Sequence, residues 1–277
     1  MPGLLADLVA RYDLPTLGDP VPMLGGFHNE LLRLDDVVVR IEQREPASVA
    51  WEHSLLAFLN KEIPEAVSPL PALDGSTYFV HDGRVVSVCP FVEGTTARRG
   101  EGAEVIARIH RRGLEWQAGQ RPGRPAYSEL DWEHNDWWDW AIVAKPEGLQ
   151  RAFARARSFI ADAPPLVRGA IHGDPASQNL LEREGRIAGV IDWEYARIEW
   201  PALELASAAW SLAPDDPRRF VEEYMDAGGP GEPEILEEGA RIWLLSNALH
   251  SLTCAAQGRA WNSDWVDHVL EQLRQLK

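Results

Sequence analysis

The sequence predicts an α+β protein in two lobes: a small antiparallel-sheet lobe with one helix over residues 1–92, and a larger, mostly helical lobe over 93–277. Three observations carry this. Short apolar runs with turn residues between them dominate up to residue 92, after which helical spacing takes over at Glu93-Gly94-Thr95-Thr96. A short β-like island from Ala170 to Ile191 interrupts the helical half and collects most of the chemically useful polar residues. The 277 residues, 45% of them hydrophobic, suffice for one large core or for two lobes.

Residues 20–43 read as a three-stranded meander, with strands at Pro22 to Leu24, Glu30 to Leu34 and Val37 to Ile41, punctuated by Gly25-Gly26 and Asp35-Asp36. Alternation along the third strand puts Val38 and Arg40 on one face and Val37, Val39 and Ile41 on the other. From Ala47 to Leu59 the residues Val49, Trp51, Leu55, Phe58 and Leu59 recur at helical spacing, with Glu52 beside them. Two more strands, Thr77 to His81 and Val85 to Val92, are joined by the turn Asp82-Gly83. Beyond the boundary, Val105, Ile106 and Ile109 mark one helix and Trp243, Leu244, Leu245, Ala248, Leu249 and Leu252 another.

Lys and Arg number 27 against 43 Asp and Glu, a formal net charge of −16, which repels nucleic acid backbones and anionic membranes. Neither is expected as a partner. An acidic surface serves solubility as readily as it attracts a cationic substrate, so both readings stand. Cys89 and Cys254 are too few and too far apart for a disulfide framework or zinc site. The opening stretch lacks a signal-like segment, and no run approaches the roughly 18 apolar residues of a membrane span. The expectation is a cytoplasmic protein, monomeric or homodimeric. There is no G-x-x-x-x-G-K-[ST] loop, no His-Glu-x-x-His pair and no G-x-S-x-G turn.

The informative run is Ile171-His172-Gly173-Asp174-Pro175-Ala176-Ser177-Gln178-Asn179, followed by Gly189-Val190-Ile191-Asp192-Trp193-Glu194. Phosphoryl transfer needs metal ions bridging phosphates and a carboxylate at the attacking hydroxyl. A loop that starts at Asp174 and reaches Asn179 five residues later supplies one oxygen ligand to each. Asp192, at the end of an apolar strand, adds a second hard ligand suited to magnesium. Asp174 and Asn179 alone would serve equally as turn caps; their joint spacing with Asp192 favours chemistry.

This pattern resembles the aminoglycoside phosphotransferase family, small-molecule kinases with a protein-kinase-like fold. The resemblance implies Asp174 as catalytic base or hydroxyl-orienting residue, Asn179 and Asp192 as Mg2+ ligands, and His172 and Glu204 as supports of the catalytic loop. It implies a nucleotide site, for ATP or GTP as phosphoryl donor, made by Gly25, Gly26 and Phe27 of a phosphate-covering loop, by Val38, by Arg40 paired with Glu52, and by Cys89 and Phe91 of a hinge. Arg40 stands where lysine is usual, and a guanidinium forks to two oxygens where an ammonium is a point charge. Ile106-Ala107-Arg108-Ile109-His110 matches a family helix whose histidine is structural.

The acceptor is the least determined part. Asp131, Glu133, Asp136, Trp137, Glu194 and Trp200 are candidate acceptor-binding residues, because carboxylates and indole faces favour amines, cations and sugars; Trp137 and Trp140 are equally read as the buried face of a helix. The resemblance implies transfer to a hydroxyl of an amine-bearing small molecule, such as an aminoglycoside-like antibiotic or amino sugar, and hence antibiotic resistance. A metabolic kinase for homoserine, choline or a sugar is the alternative, and a nucleotide-binding pseudokinase a third reading.

Overall fold

The computed structural model describes residues 2–12, 14, 18–23, 29–259 and 263–275. By its contacts the chain forms two compact units that do not follow a single cut at residue 92: the first takes 1–98, 121–123 and 177–196, the second 99–120, 124–176 and 197–277.

The first unit is built on a five-stranded antiparallel sheet in the order β1-β2-β3-β5-β4, from β1 (Val21–Pro22), β2 (Glu30–Leu34), β3 (Val37–Glu42), β4 (Phe79–His81) and β5 (Arg84–Pro90). The expected alternation holds: Val39 and Ile41 are buried, while Val38 and Arg40 lie on the other face. Helix α1 (Pro2–Tyr12), in a stretch to which the sequence reading assigns no element, supplies Leu4, Leu8 and Tyr12 to a core shared with Leu32, Leu34, Val39, Ile41, Phe79, Val86 and Val88. Its signal is the i, i+4, i+8 spacing of those three residues. Helix α2 (Pro46–Asn60) starts with proline in its first turn, where a missing N–H costs nothing, and buries Val49, Leu55, Leu56 and Leu59. The same unit contains a small sheet of β6 (Thr95–Thr96), β8 (Leu180–Arg183) and β9 (Arg186–Val190), and an isolated parallel bridge joins Ala66 to Val190.

The second unit is helical. Its helices are α3 (Ala103–Gly113), α4 (Glu147–Asp162), α5 (Pro201–Leu212), α6 (Pro217–Asp226), α7 (Leu236–Ala256) and α8 (Ser263–Gln275), with a two-stranded ribbon of β7 (Gly169–Ile171) and β10 (Arg197–Glu199). Helix α7 packs against α4, α5 and α8, which is why its sequence is apolar on nearly every side. Asp216 caps α6 by accepting the Arg219 N–H at 3.2 Å. Among the described residues, no helix is long and apolar enough to cross a membrane.

The stretch Asp131 to Trp140 is not helical, which corrects the reading of Trp137 and Trp140 as one helix face. It is a chain of turns made by its own polar side chains: Asp131 accepts the N–H groups of Glu133 and His134, and Asn135 those of Trp137 and Trp138. Such local acceptors compete with the helical hydrogen-bond ladder. The indoles that are buried are Trp132 and Trp138, 5.2 Å apart in the core of this unit, while Trp140 stacks on Phe153 at 4.0 Å.

At the end of α3 a β-carbon on Gly113 would lie 2.1 Å from the carbonyl oxygen of Ala170 in β7. The crowding atoms all belong to the backbone of Ala170 and cannot swing away. Gly113→Ala should therefore destabilise the protein by about 1–3 kcal/mol, read as a fall in Tm of several degrees; an unchanged Tm would show that α3 and β7 do not meet so closely.

Candidate active site

Strand β3 carries Arg40 on the face opposite the α1 core, and α2 carries Glu52 twelve residues on. The two meet as expected: Arg40 Nη1 donates to Glu52 Oε1 at 3.2 Å. The guanidinium uses its other arm as well, with Nη2 reaching Asp192 Oδ1 at 3.3 Å and Glu194 Oε2 at 3.4 Å. A lysine ammonium at this position could not span these three carboxylates from two directions. The Asn29 side-chain amide also donates to Glu194, at 2.9 Å. Glu194, expected from sequence to face an acceptor, is instead a buried member of this cluster.

Two further arginines, which no sequence motif points to, complete the cluster. Arg44 pairs with Glu42 and, at 2.5 Å, with Glu52. Arg121 is 2% exposed, and its Nη2 donates to Glu52 Oε2 at 2.6 Å. Burial alone would raise the Glu52 carboxyl; Arg40, Arg44 and Arg121 together outweigh it and hold Glu52 well below the usual carboxylate range. Three guanidiniums thus face four carboxylates, Glu42, Glu52, Asp192 and Glu194, so the cluster as a whole carries one net negative charge.

Asp192 follows β9 with φ 61° and ψ 63°, a left-handed conformation that Asp tolerates better than most residues. Asn179 closes a 3-10 turn at Ser177–Asn179, and its carbonyl accepts the Ile191 N–H at 2.9 Å, so the backbone ties Asn179 to the residue before Asp192. The Trp193 indole N–H donates to Val190 O at 2.9 Å and fixes the turn from the other side. Among the described residues no three His, Cys, Asp or Glu side chains form a metal cage. Asn179 and Asp192 offer oxygen ligands only, the donor type that suits magnesium, which takes one or two protein ligands and the rest from phosphate and water.

Val38 and Cys89 are register partners in β3 and β5. Phe91 follows β5; its N–H donates to Asp36 O at 2.7 Å, and the Arg33 guanidinium covers its ring at 3.7 Å. That N–H is already used, so a purine edge would have to be read by other groups of this segment. Gly25, Gly26 and Phe27 lie outside the described residues.

The second unit holds the other half of the motif. Glu204 of α5 is buried and accepts the N–H of Gly173 at 2.7 Å and of His172 at 3.2 Å. Asp174 N–H donates to His172 Nδ1 at 3.2 Å, so the ring braces the turn it belongs to. His110 Nε2 lies 3.2 Å from Glu204 Oε1, and its Nδ1 meets the Tyr224 hydroxyl at 2.8 Å, which in turn donates to Pro230 O at 2.7 Å. Burial pushes the Glu204 carboxyl up, but His110, His172 and the Gly173 N–H hold it below the usual carboxylate range.

The acceptor candidates other than Glu194 are scattered within this unit. Asp131 serves its own turn, Glu133 pairs with Arg157 at 2.7 Å, and Asp136 is exposed. Trp137 is half-buried with the Arg124 guanidinium 5.4 Å from its ring, and Trp200 is buried in the core against Phe159. Trp200 therefore packs the fold and presents no free face.

With this geometry in place, a model of the phosphotransferase enzyme family matches residues 21–238. The chain belongs to this family. It is a small-molecule phosphotransferase with the protein-kinase-like α+β fold. The homoserine kinase of Granulibacter bethesdensis is 26% identical over 227 residues, covering 76% of this chain and 70% of that protein. Amicoumacin kinase hAmiN, solved with AMP-PNP, Ca2+ and Ami, superposes with a TM-score of 0.75 at 10% identity over 99% of this chain and 93% of that one. A thermostable mutant of aminoglycoside phosphotransferase APH(4)-Ia, solved with AMP-PNP and hygromycin B, gives 0.71 at 14% identity, covering 100% and 98%.

His53, next to Glu52 on α2, is buried with Nδ1 2.9 Å from Thr77 Oγ1, and burial pulls its imidazole down to about 4. Unfolded, it titrates near 6.5. Between those values the unfolded chain binds a proton the folded one does not, so this contribution is complete above pH 6.5 and is lost as pH falls toward 4. The predicted loss is about 2 kcal/mol between pH 7.5 and 5. Denaturant titrations should show His53→Gln less acid-sensitive by that amount; an equal loss in both proteins would contradict it.

Proposed function

We propose that the chain transfers the γ-phosphoryl group of ATP or GTP to a hydroxyl of a small, amine-bearing alcohol. Two observations support this reading, each within its own unit: a His172-Gly173-Asp174 loop braced by Glu204, and an Arg40, Glu52 and Asp192 cluster, in a chain whose family is that of phosphotransferases. In this reading Asp174 accepts the proton of the acceptor hydroxyl as its oxygen forms a bond to the γ-phosphorus and the bond to the β,γ-bridging oxygen breaks. Arg40 binds the α and β phosphates. Val38, Cys89 and Phe91 line the base, and Gly25, Gly26 and Phe27 cover the phosphates. Magnesium held by Asn179 and Asp192 supplies charge neutralisation at the phosphates. His172 and Glu204 keep Asp174 aimed.

The acceptor reading moves away from a large polycation. The acids of 131–140 are spent on turns or exposed, and two of its four tryptophans are core. Homoserine has one specific argument in its favour: homoserine kinases from four bacteria match at 25–26% identity. An aminoglycoside-like or amino-sugar acceptor, with a role in antibiotic resistance, is the second reading, supported by the structural likeness to an amicoumacin kinase and to an aminoglycoside phosphotransferase solved with hygromycin B.

Release of ADP or GDP with magnesium present, measured over homoserine, choline, amino sugars and aminoglycosides, tests this. Turnover on homoserine or another amino alcohol is expected. Asp174→Asn should lower kcat by about 10²–10⁴-fold and leave nucleotide affinity within a few-fold, whereas Asp192→Asn should weaken magnesium-nucleotide binding too. Wild-type turnover in Asp174→Asn would overturn the assignment.

A further inference from the structure

Arg121 lies outside every motif in the sequence, between α3 and the 3-10 turn at Tyr127–Glu129, yet it is one of the most buried charged residues of the protein. All three of its nitrogens are occupied. Nε donates to Ser48 Oγ at 2.9 Å and Nη2 to Glu52 Oε2 at 2.6 Å, both on α2. Nη1 lies within 2.9–3.1 Å of the carbonyl oxygens of Trp193, Glu194 and Ala196. Those carbonyls form the turn that begins immediately after Asp192.

We propose that Arg121 is a positioning residue for magnesium-nucleotide binding, acting on Asp192 through the 193–196 turn and on Arg40 through Glu52. This rests on the assignment of Asp192 and Arg40 given above. Three arguments support it. First, the left-handed backbone of Asp192 persists only if its surroundings over-determine it, and Arg121 binds three carbonyls of the following turn at once. Secondly, a buried charge network is a poor source of net stability, because well-packed apolar residues often replace one at no loss; what the network supplies here is geometry. Thirdly, when Arg40 turns to phosphate, Glu52 would keep Arg121 and Arg44, so it stays charged and in place. Arg121 itself touches no reacting atom.

No shorter or less branched side chain reproduces this. Lysine keeps the charge but has one nitrogen, which cannot span Ser48, Glu52 and three carbonyls. The effect should therefore appear as weaker metal and nucleotide binding, with a partial rescue by lysine.

The test is calorimetric binding of AMP-PNP at a series of magnesium concentrations, with amide hydrogen exchange of residues 191–196, on the full chain. Arg121→Gln should raise the magnesium concentration for half-maximal binding at least tenfold and speed exchange in 191–196. Arg121→Lys should raise it by a smaller factor, and it decides the matter if the glutamine variant does not fold. Arg241→Gln, a comparably buried arginine on α7, is the control for buried charge in general and should lower Tm while leaving the magnesium dependence unchanged. A magnesium dependence within twofold of the parent in Arg121→Lys and any folded Arg121→Gln, or an equal rise in Arg241→Gln, would overturn the proposal. A parent protein that binds AMP-PNP without magnesium dependence would instead overturn the assignment of Asn179 and Asp192, and the proposal with it.

Discussion

The interaction on which the first unit depends is the buried carboxylate of Glu52 held by three guanidiniums. An isolated carboxylate at 2% exposure would cost several kcal/mol of desolvation; Arg40, Arg44 and Arg121 offset that cost and fix the group in one position. Each arginine also reaches something else. Arg44 binds Glu42 on the sheet, Arg121 binds the turn after Asp192, and Arg40 binds Asp192 and Glu194. One carboxylate thereby links β3, α2 and the end of β9. Removing it would leave three buried cations short of a partner, which is why the cluster reads as a unit and not as separate ion pairs.

The second unit repeats this logic around another buried acid. Glu204 spends its oxygens on two backbone N–H groups of the loop that carries Asp174, and His110 and Tyr224 carry the chain of contacts on to the carbonyl of Pro230. A loop braced by backbone hydrogen bonds from a helix has little freedom to re-aim its carboxylate. In each unit, then, the residue expected to meet substrate, Arg40 or Asp174, is only partly buried, whereas the acid that braces it is fully buried.

What was legible in the sequence was local in the chain. The spacing of Asp174, Asn179 and Asp192 lies within 19 residues, and the alternation of β3 put Arg40 on the correct face. The pairing of Arg40 with Glu52 needed only a strand and the next helix. Arg121 was not legible, because its partners lie about 70 residues away on either side and no periodicity announces such a contact. The tryptophan spacing at 131–140 mimics a helix, but Asp131 and Asn135 take the backbone N–H groups that a helix would need. The period of helix α1 rests on only three residues, Leu4, Leu8 and Tyr12. Chemistry alone makes Trp200 and Glu194 acceptor candidates; burial gives the first to the core and the second to Arg40.

On the proposed assignment, Arg40 exchanges a carboxylate for phosphate when nucleotide binds, while Arg44 and Arg121 stay on Glu52. Arginine side-chain NMR signals, assigned by substitution and followed as magnesium AMP-PNP is added, measure this directly. The account predicts that the Arg40 guanidinium resonances shift while those of Arg44 and Arg121 hold their positions. A bound complex in which Arg40 is unmoved, or in which all three shift alike, would contradict it.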